Sequence, residues 1–289
     1  MTSSSGPAQP GAGRAGPGLD VAQLRALRRP RHDTAQIVAR VGEHLDRHDG
    51  YVAFSAGKDS LTVLHLARQA DRNVPVVFFD SGLEYPETYR YLAELQQRWR
   101  LNLDVVTARP TALEILRASG AWDHHAVSRP AGSLRDALIA RPAAAAHVSH
   151  GRGELWGVRS DEADGRAAVY SRALRTSVVR DCQGCCTDTR ERRTRHGGVI
   201  ARLDGTVVYG PIWDWTTSEV WNHLHRHDVS VNPVYAKLRR LGAPEQALRL
   251  SLMVDGAHLE NGRMTWLRRG WPDVFEDLAA VLPRIREYV

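Results

Sequence analysis

The chain has 289 residues, 43% of them hydrophobic, enough for one large α/β domain with a small appendage. Its net charge of +6 fits an arginine-rich composition or a polyanionic partner such as nucleic acid, and charge alone does not separate the two. The only three cysteines are Cys182, Cys185 and Cys186, which excludes a dispersed disulfide framework. No apolar run approaches the ~20 residues of a membrane span, and the N-terminus lacks an apolar signal region. A reducing cytoplasm is the expected compartment.

Residues 1–19 are mostly Ser, Gly, Pro and Ala, with little to bury, and are expected to form a disordered tail. Leu24 to Arg31 is a short basic lead-in. Thr34 is placed to cap a helix carrying Ile37, Val38, Val41 and Leu45 on one face. A strand is expected at 51–54, then a glycine-containing turn, then a helix with Leu61, Leu64 and Leu66. Pro75 to Asp80 reads as a buried strand, because Val76-Val77-Phe78-Phe79 has no polar alternation. Glu87 to Arg100 reads as helix and Leu103 to Thr107 as a third strand. Thr111 to Ser119 reads as helix, and the Ala143–Ala146 run as helix or loop. Glu154 to Val158 and Thr206 to Tyr209 are further strands, Thr216 to Arg226 a helix, and Trp271 to Tyr288 one amphipathic helix or two.

This order predicts a doubly wound, parallel α/β sheet with right-handed crossovers over 20–240, followed by a helical C-terminal extension over 241–289. Ligands of such sheets bind beyond the carboxyl ends of the strands, where Ser55 and Asp80 fall.

The chemistry concentrates in four places. Ser55-Ala56-Gly57-Lys58-Asp59-Ser60 joins a strand to a helix, so its backbone N–H groups and two hydroxyls converge on a point suited to a polyphosphate. Gly57 permits close backbone approach, Lys58 neutralises phosphate, and Asp59 repels it unless it caps the helix or holds Mg²⁺. The pattern is not the Walker loop. Asp80 ends the second strand, where it lies near a nucleoside or serves as a turn cap. Arg159 follows the strand at 154–158 and meets either phosphate or its neighbours Asp161 and Glu162. Asp181-Cys182-Gln183-Gly184-Cys185-Cys186 has the C-x-x-C spacing of zinc and iron–sulfur ligands. Adjacent Cys185 and Cys186 point apart on most backbones, so three thiols on one cluster is demanding; His196 can instead complete a zinc site. A redox or persulfide-carrying thiol, and a purely structural role, remain alternatives. Arg190, Arg192, Arg193 and Arg195 follow as a basic run suited to a phosphodiester backbone or to solvent. Trp213, Trp215 and Trp221 read as core. His124, His125, His223, His225 and His227 show no ligand spacing.

Four blocks together resemble the PP-loop ATP pyrophosphatases of the phosphoadenylyl-sulfate reductase/FAD synthetase-like group. They are Phe54–Leu61, Phe78–Thr88, Trp156–Glu162, and Gly210–Thr216 continuing to Val220-Trp221 and Asn232-Pro233-Val234-Tyr235. They cover residues 35–240 in the family's order. The resemblance implies that ATP is cleaved between its α and β phosphates, with Ser55, Ala56, Gly57, Lys58, Asp59 and Ser60 holding the β and γ phosphates. Asp80 and Gly157 would then line the nucleotide, with Lys58, Asp59 and Arg159 as catalytic groups.

The family's reductases attack with a cysteine in a C-terminal tail, and no cysteine follows Cys186 here. The resemblance therefore leans towards the ATP pyrophosphatases of DNA phosphorothioation, in which an oxygen of the backbone is activated for replacement by sulfur. The implied cofactors are ATP and Mg²⁺, with an iron–sulfur cluster or Zn²⁺ at Cys182, Cys185 and Cys186. The implied partners are ATP, a DNA acceptor and a sulfur donor such as a cysteine desulfurase. A homodimer stays open, and a membrane does not enter. The alternatives are a sulfonucleotide reductase or sulfate adenylyltransferase, and a nucleic-acid-binding subunit with a regulatory nucleotide site.

Overall fold

A computed structural model describes residues 21–120, 134–161, 172, 184–187, 191, 196–252 and 262–289. Cys182, Glu162, His124, His125, the tail at 1–19 and the arginines at 190, 192, 193 and 195 lie outside them.

The fold begins with two helices, α1 (Val21–Leu27) and α2 (Thr34–His48). The cap of α2 is Asp33, not Thr34: its Oδ1 accepts from Ala35 N (3.0 Å) and Gln36 N (3.3 Å), and Thr34 becomes the first helical residue. Then β1 (Gly50–Phe54), α3 (Lys58–Ala70), β2 (Pro75–Asp80), α4 (Pro86–Trp99), β3 (Asn102–Thr107) and α5 (Ala112–Ser119) alternate. A π-helical turn at Asp136–Ala140 leads into α6 (Arg141–His150), so the alanine run is helical. β4 (Gly153–Leu155) stops before Trp156, shorter than expected from the apolar run. β5 (Val199–Ala201) is a strand the sequence pattern did not reveal, and β6 (Val207–Tyr209) follows it. Among the described residues the chain closes with α7 (Thr217–Arg226), α8 (Val234–Arg240), α9 (Met264–Gly270) and α10 (Pro272–Val281), with 3₁₀ turns at Glu245–Ala247 and Pro283–Tyr288.

The six strands lie in the order β3-β2-β1-β4-β6-β5. All neighbours pair parallel except the edge strand β5, which is antiparallel to β6. β1 is buried along its whole length and feeds two clusters. Val52 and Phe54 join the main core with Leu61, Leu64 and Val76, while Tyr51 and Ala53 meet Val77 and Ala146 on the other face. A sheet covered on both faces needs continuous apolar strands, which is why β1 and β2 lack alternation.

The chain runs outward from β1 to β3 on one side and resumes at β4 on the other. That reversal is the switch point where doubly wound sheets bind ligands. The loops leaving β1 and β4 flank it.

The C-terminal residues share the main core. Met264, Leu267, Phe275 and Ile285 belong to the same cluster as Val52 and Leu61. Trp271 lies 4.4 Å from Tyr85 between ring centroids, and its Nε1 donates to Glu87 (2.7 Å), which also receives Lys237 Nζ (2.9 Å).

Candidate functional site

The turn after β1 is built by its own serines. Ser60 Oγ accepts from Ser55 N (3.1 Å), donates to the Gly57 carbonyl (3.1 Å) and lies 3.1 Å from Ser55 Oγ. Two backbone features shape the turn. The left-handed position is Ala56, at φ 58°, whereas Gly57 has φ −83°. The close backbone approach is at Gly157, where an added Cβ would stand 2.7 Å from Ser60 N. The loop leaving β4 is thus pressed against the first turn of α3, and only glycine fits there.

The N-terminus of α3, like those of α4, α6, α8, α9 and α10, lacks the side-chain cap found at α2, α5 and α7. Asp33, Thr111 and Thr216 cap the latter three with side chains. Gly57, the cap of α3, offers none. One amide is covered from afar, since Lys58 N donates to Tyr235 Oη (3.0 Å). The next amides of the first turn have no partner within the helix by its geometry and carry its positive dipole end. An uncapped helix start at a sheet's switch point is suited to phosphate oxygens.

Charge at the turn is balanced internally. Asp59 receives Lys58 Nζ at 2.6 Å on one oxygen and Arg159 Nε at 2.7 Å on the other. Both oxygens of Asp59, expected to cap the helix or to hold Mg²⁺, are therefore engaged by cations. Arg159 is 2% exposed. Besides Asp59 it donates to the Trp215 carbonyl (3.0 Å), Thr217 Oγ1 (3.1 Å) and Asp161 Oδ2 (3.4 Å). Asp161 also accepts from Thr217 N (3.2 Å). The Trp215-Thr216-Thr217 stretch thus anchors a buried guanidinium that orients Asp59. Trp215 and Trp221 are buried, as a core reading requires.

Asp80, at the carboxyl end of β2, accepts on Oδ1 from Gly82 N (2.9 Å) and Tyr89 Oη (2.9 Å). Glu84 stands in the same loop and accepts from Ser81 Oγ (2.7 Å). Burial pushes Glu84 up to about 7; the Ser81 bond opposes this and the Asp80 charge adds to it. The sequence pattern assigned Glu84 no role.

Tyr235 and Asn232 also gained roles that spacing did not reveal. Asn232 Nδ2 donates to Thr88 Oγ1 (3.1 Å), and its Oδ1 accepts from Val234 N (3.0 Å). The Asn232–Tyr235 block therefore ties the start of α4 to the phosphate turn.

Two of the three cysteines converge, contrary to the divergence expected of neighbours. Cys185 Sγ lies 3.8 Å from Cys186 Sγ and 3.0 Å from His196 Nε2. The three donor atoms all fall within 4.8 Å of one another, a grouping able to hold a metal ion. At a zinc–sulfur distance of about 2.3 Å, the sulfur–sulfur edge of a tetrahedron is about 3.8 Å, so the pair matches one thiophilic ion. Sulfurs on separate irons of a cluster stand farther apart. Cys182, the third expected ligand, is outside the described residues.

Residues 50–245 match the family model described as the phosphoadenosine phosphosulfate reductase domain. Among curated relatives, the phosphoadenosine 5'-phosphosulfate reductase of Xylella fastidiosa (strain 9a5c) is 25% identical over 210 residues, 70% of this chain and 75% of the relative. That of Alkalilimnicola ehrlichii is 27% identical over 262 residues, 88% of this chain and 91% of the relative. Solved structures that align include the phosphoadenylyl-sulfate reductase of Candida auris, with TM-score 0.45 and 15% identity over 75% of this chain and 94% of that one. The NH3-dependent NAD synthetase of Campylobacter jejuni aligns with TM-score 0.43 and 14% identity over 93% and 96%.

Proposed function

The chain belongs to the phosphoadenosine phosphosulfate reductase domain family, with a PP-loop, adenine nucleotide alpha hydrolase-like α/β fold, and from that premise we propose that it cleaves ATP between the α and β phosphates to activate an oxygen. The observation that carries this reading is the uncapped start of α3 at the switch point, with Gly157 pressed against it. In the proposed reaction the acceptor oxygen attacks the α-phosphorus. The bond from the α-phosphorus to the bridging oxygen breaks, and pyrophosphate leaves with that electron pair. Backbone amides of the α3 first turn, Ser55 and Ser60 hold the departing phosphates. Lys58 and Arg159 orient Asp59, and Lys58 adds positive charge. Magnesium, when bound with ATP, supplies further charge neutralisation; Asp59 in its present pairing has no free oxygen for it.

The acceptor proposed is a non-bridging oxygen of a DNA phosphodiester. Adenylylation turns that oxygen into a leaving group, and sulfide from a sulfur donor displaces AMP at the backbone phosphorus. The net charge of +6 is compatible with a polyanion, and all three thiols sit in the Cys182–Cys186 group. At that group we propose zinc held by Cys185, Cys186 and His196, on the strength of the 3.8 Å sulfur spacing.

A second reading, sulfonucleotide reduction, is favoured by the curated relatives, which carry that name. One assay separates the two. Anaerobically purified protein is given ATP with DNA, or a sulfonucleotide with a dithiol. DNA-stimulated pyrophosphate release is the expected result. Thiol-dependent sulfite release without ATP cleavage would overturn the proposal in favour of the reductase.

A further inference from the structure

A cavity of about 820 Å³ lies at the opposite end of α3 from the phosphate turn. The helix spans thirteen residues, from Lys58 to Ala70. At about 1.5 Å per residue its two ends stand roughly 18 Å apart. α4 and α7 end beside it, at Trp99 and Arg226. The cavity wall carries four guanidinium groups, Arg68, Arg72, Arg98 and Arg100, with the rings of His65 and Trp99 among them.

Several charges oppose an anion there. Each helix C-terminus carries about half a negative charge, so three contribute about −1.5. Asp228 adds a carboxylate to the lining, and Asp71 acts on Arg68 from the end of α3. The four arginines outweigh the dipole ends and the lining carboxylate. His65 adds nothing at neutral pH, because burial, then His227 and Arg68, push it down to about 4. Arg68 is committed: it donates to the Arg72 carbonyl (2.7 Å) and lies 5.6 Å over the Trp99 ring. Arg98 gives one N–H to Ser230 Oγ (3.2 Å). Among the described residues, Arg72, Arg98 and Arg100 make no ion pair. Burial, and after it the neighbouring Arg72, hold Arg68 below its ordinary range, against the pull of Asp71.

We infer that this cavity seats the sugar–phosphate backbone of a nucleic-acid strand, as an anchor distant from the reacting phosphate. The inference rests on the nucleic-acid reading of the acceptor. A single phosphate would satisfy only part of so large an arginine cluster, whereas a strand presents one charge at each nucleotide. At the 3.4 Å per nucleotide of a stacked, duplex-like strand, the length of α3 corresponds to about five nucleotide steps.

The test is fluorescence anisotropy with a labelled oligonucleotide longer than that span, using wild type and the double variant Arg72→Glu/Arg100→Glu. Neither residue belongs to the phosphate turn. The variant should bind at least about tenfold more weakly, and the slope of log affinity against log salt should shrink by about 1.4 for a single strand. ATP binding, read by thermal shift, should be unchanged. Arg268→Glu/Arg269→Glu, outside the cavity lining, is the charge-matched control. Equal weakening by both pairs, or no weakening by the first, overturns the cavity. Competition by inorganic phosphate or AMP as effective as by the strand also overturns it. A strand that binds through these arginines without stimulating pyrophosphate release removes the acceptor reading and leaves the cavity standing. Stimulation that survives the reversals removes the cavity alone.

Discussion

The phosphate turn and the cysteine group are assembled in opposite ways. The turn draws on distant segments, Ser55–Ser60, Gly157–Asp161, Trp215–Thr217 and Tyr235, and balances its own charges through Lys58, Asp59, Arg159 and Asp161. The cysteine group gathers three donors from twelve consecutive positions onto one point, with Cys185 exposed. A site closed by its own ion pairs is preorganised before any ligand arrives. A site made of soft donors facing each other takes its order from a cation. The chemistry of phosphate release should therefore depend on residues far apart in sequence, and any sulfur chemistry on a short local segment.

That contrast can be broken most severely at the turn. Asp59→Ala or Ser60→Ala should cut pyrophosphate release by more than about a hundredfold. Near-normal turnover in both would remove the site from Ser55–Ser60. Arg159→Ala leaves Asp59 with Lys58 as its only ion partner and four hydrogen-bond acceptors without their donor. Urea denaturation should show a loss of about 3 kcal/mol, and an unchanged midpoint would mean that the network is not formed. Gly157→Ala forces a methyl group against Ser60 N and should cost about 1–3 kcal/mol, with weaker ATP binding. On the other side of the comparison, Cys185→Ala should release bound zinc and reduce sulfur transfer while sparing pyrophosphate release. Equal loss of both activities would make the metal structural and blur the contrast.

The last expected effect is a pH dependence at Glu84. Its folded-state value is raised from 4.5 to about 7. Between those values the folded chain binds the proton more tightly than the unfolded chain. Stability from this group is therefore complete below about 4.5 and is lost as pH rises through 7. The slope should reach about 1.4 kcal/mol per pH unit at most. Glu84→Gln should flatten that part of the stability profile, measured by urea midpoints across pH; an unaltered slope would place the titration elsewhere.

What could be read in the sequence follows from the range of each interaction. β2 was legible because four consecutive apolar residues have few other uses, and Thr111 and Thr216 were legible as helix starts because a cap acts over three residues. β5 was not, since Val199-Ile200-Ala201 is too short to show a period and pairs with β6 only across a turn. The phosphate turn was legible as a local pattern, but its supports were not. No spacing rule connects Gly157 to Ser60, or Tyr235 to Lys58, because those contacts depend on the sheet bringing β1 beside β4. The convergence of Cys185 and Cys186 was hidden for a different reason. Adjacent side chains usually diverge, and the bend at Gly184, φ 86°, becomes visible only in the folded backbone.

The core shared by α9, α10 and the strands has a consequence for cooperativity. Trp271 against Tyr85 and Glu87 joins the last third of the chain to the start of α4. Melting the C-terminal helices would open the cluster that also holds Val52 and Leu61, so the two parts have little freedom to unfold separately. Calorimetry should then find one endotherm whose measured enthalpy equals its van't Hoff enthalpy. The tryptophan, placed at the seam, would report that single event.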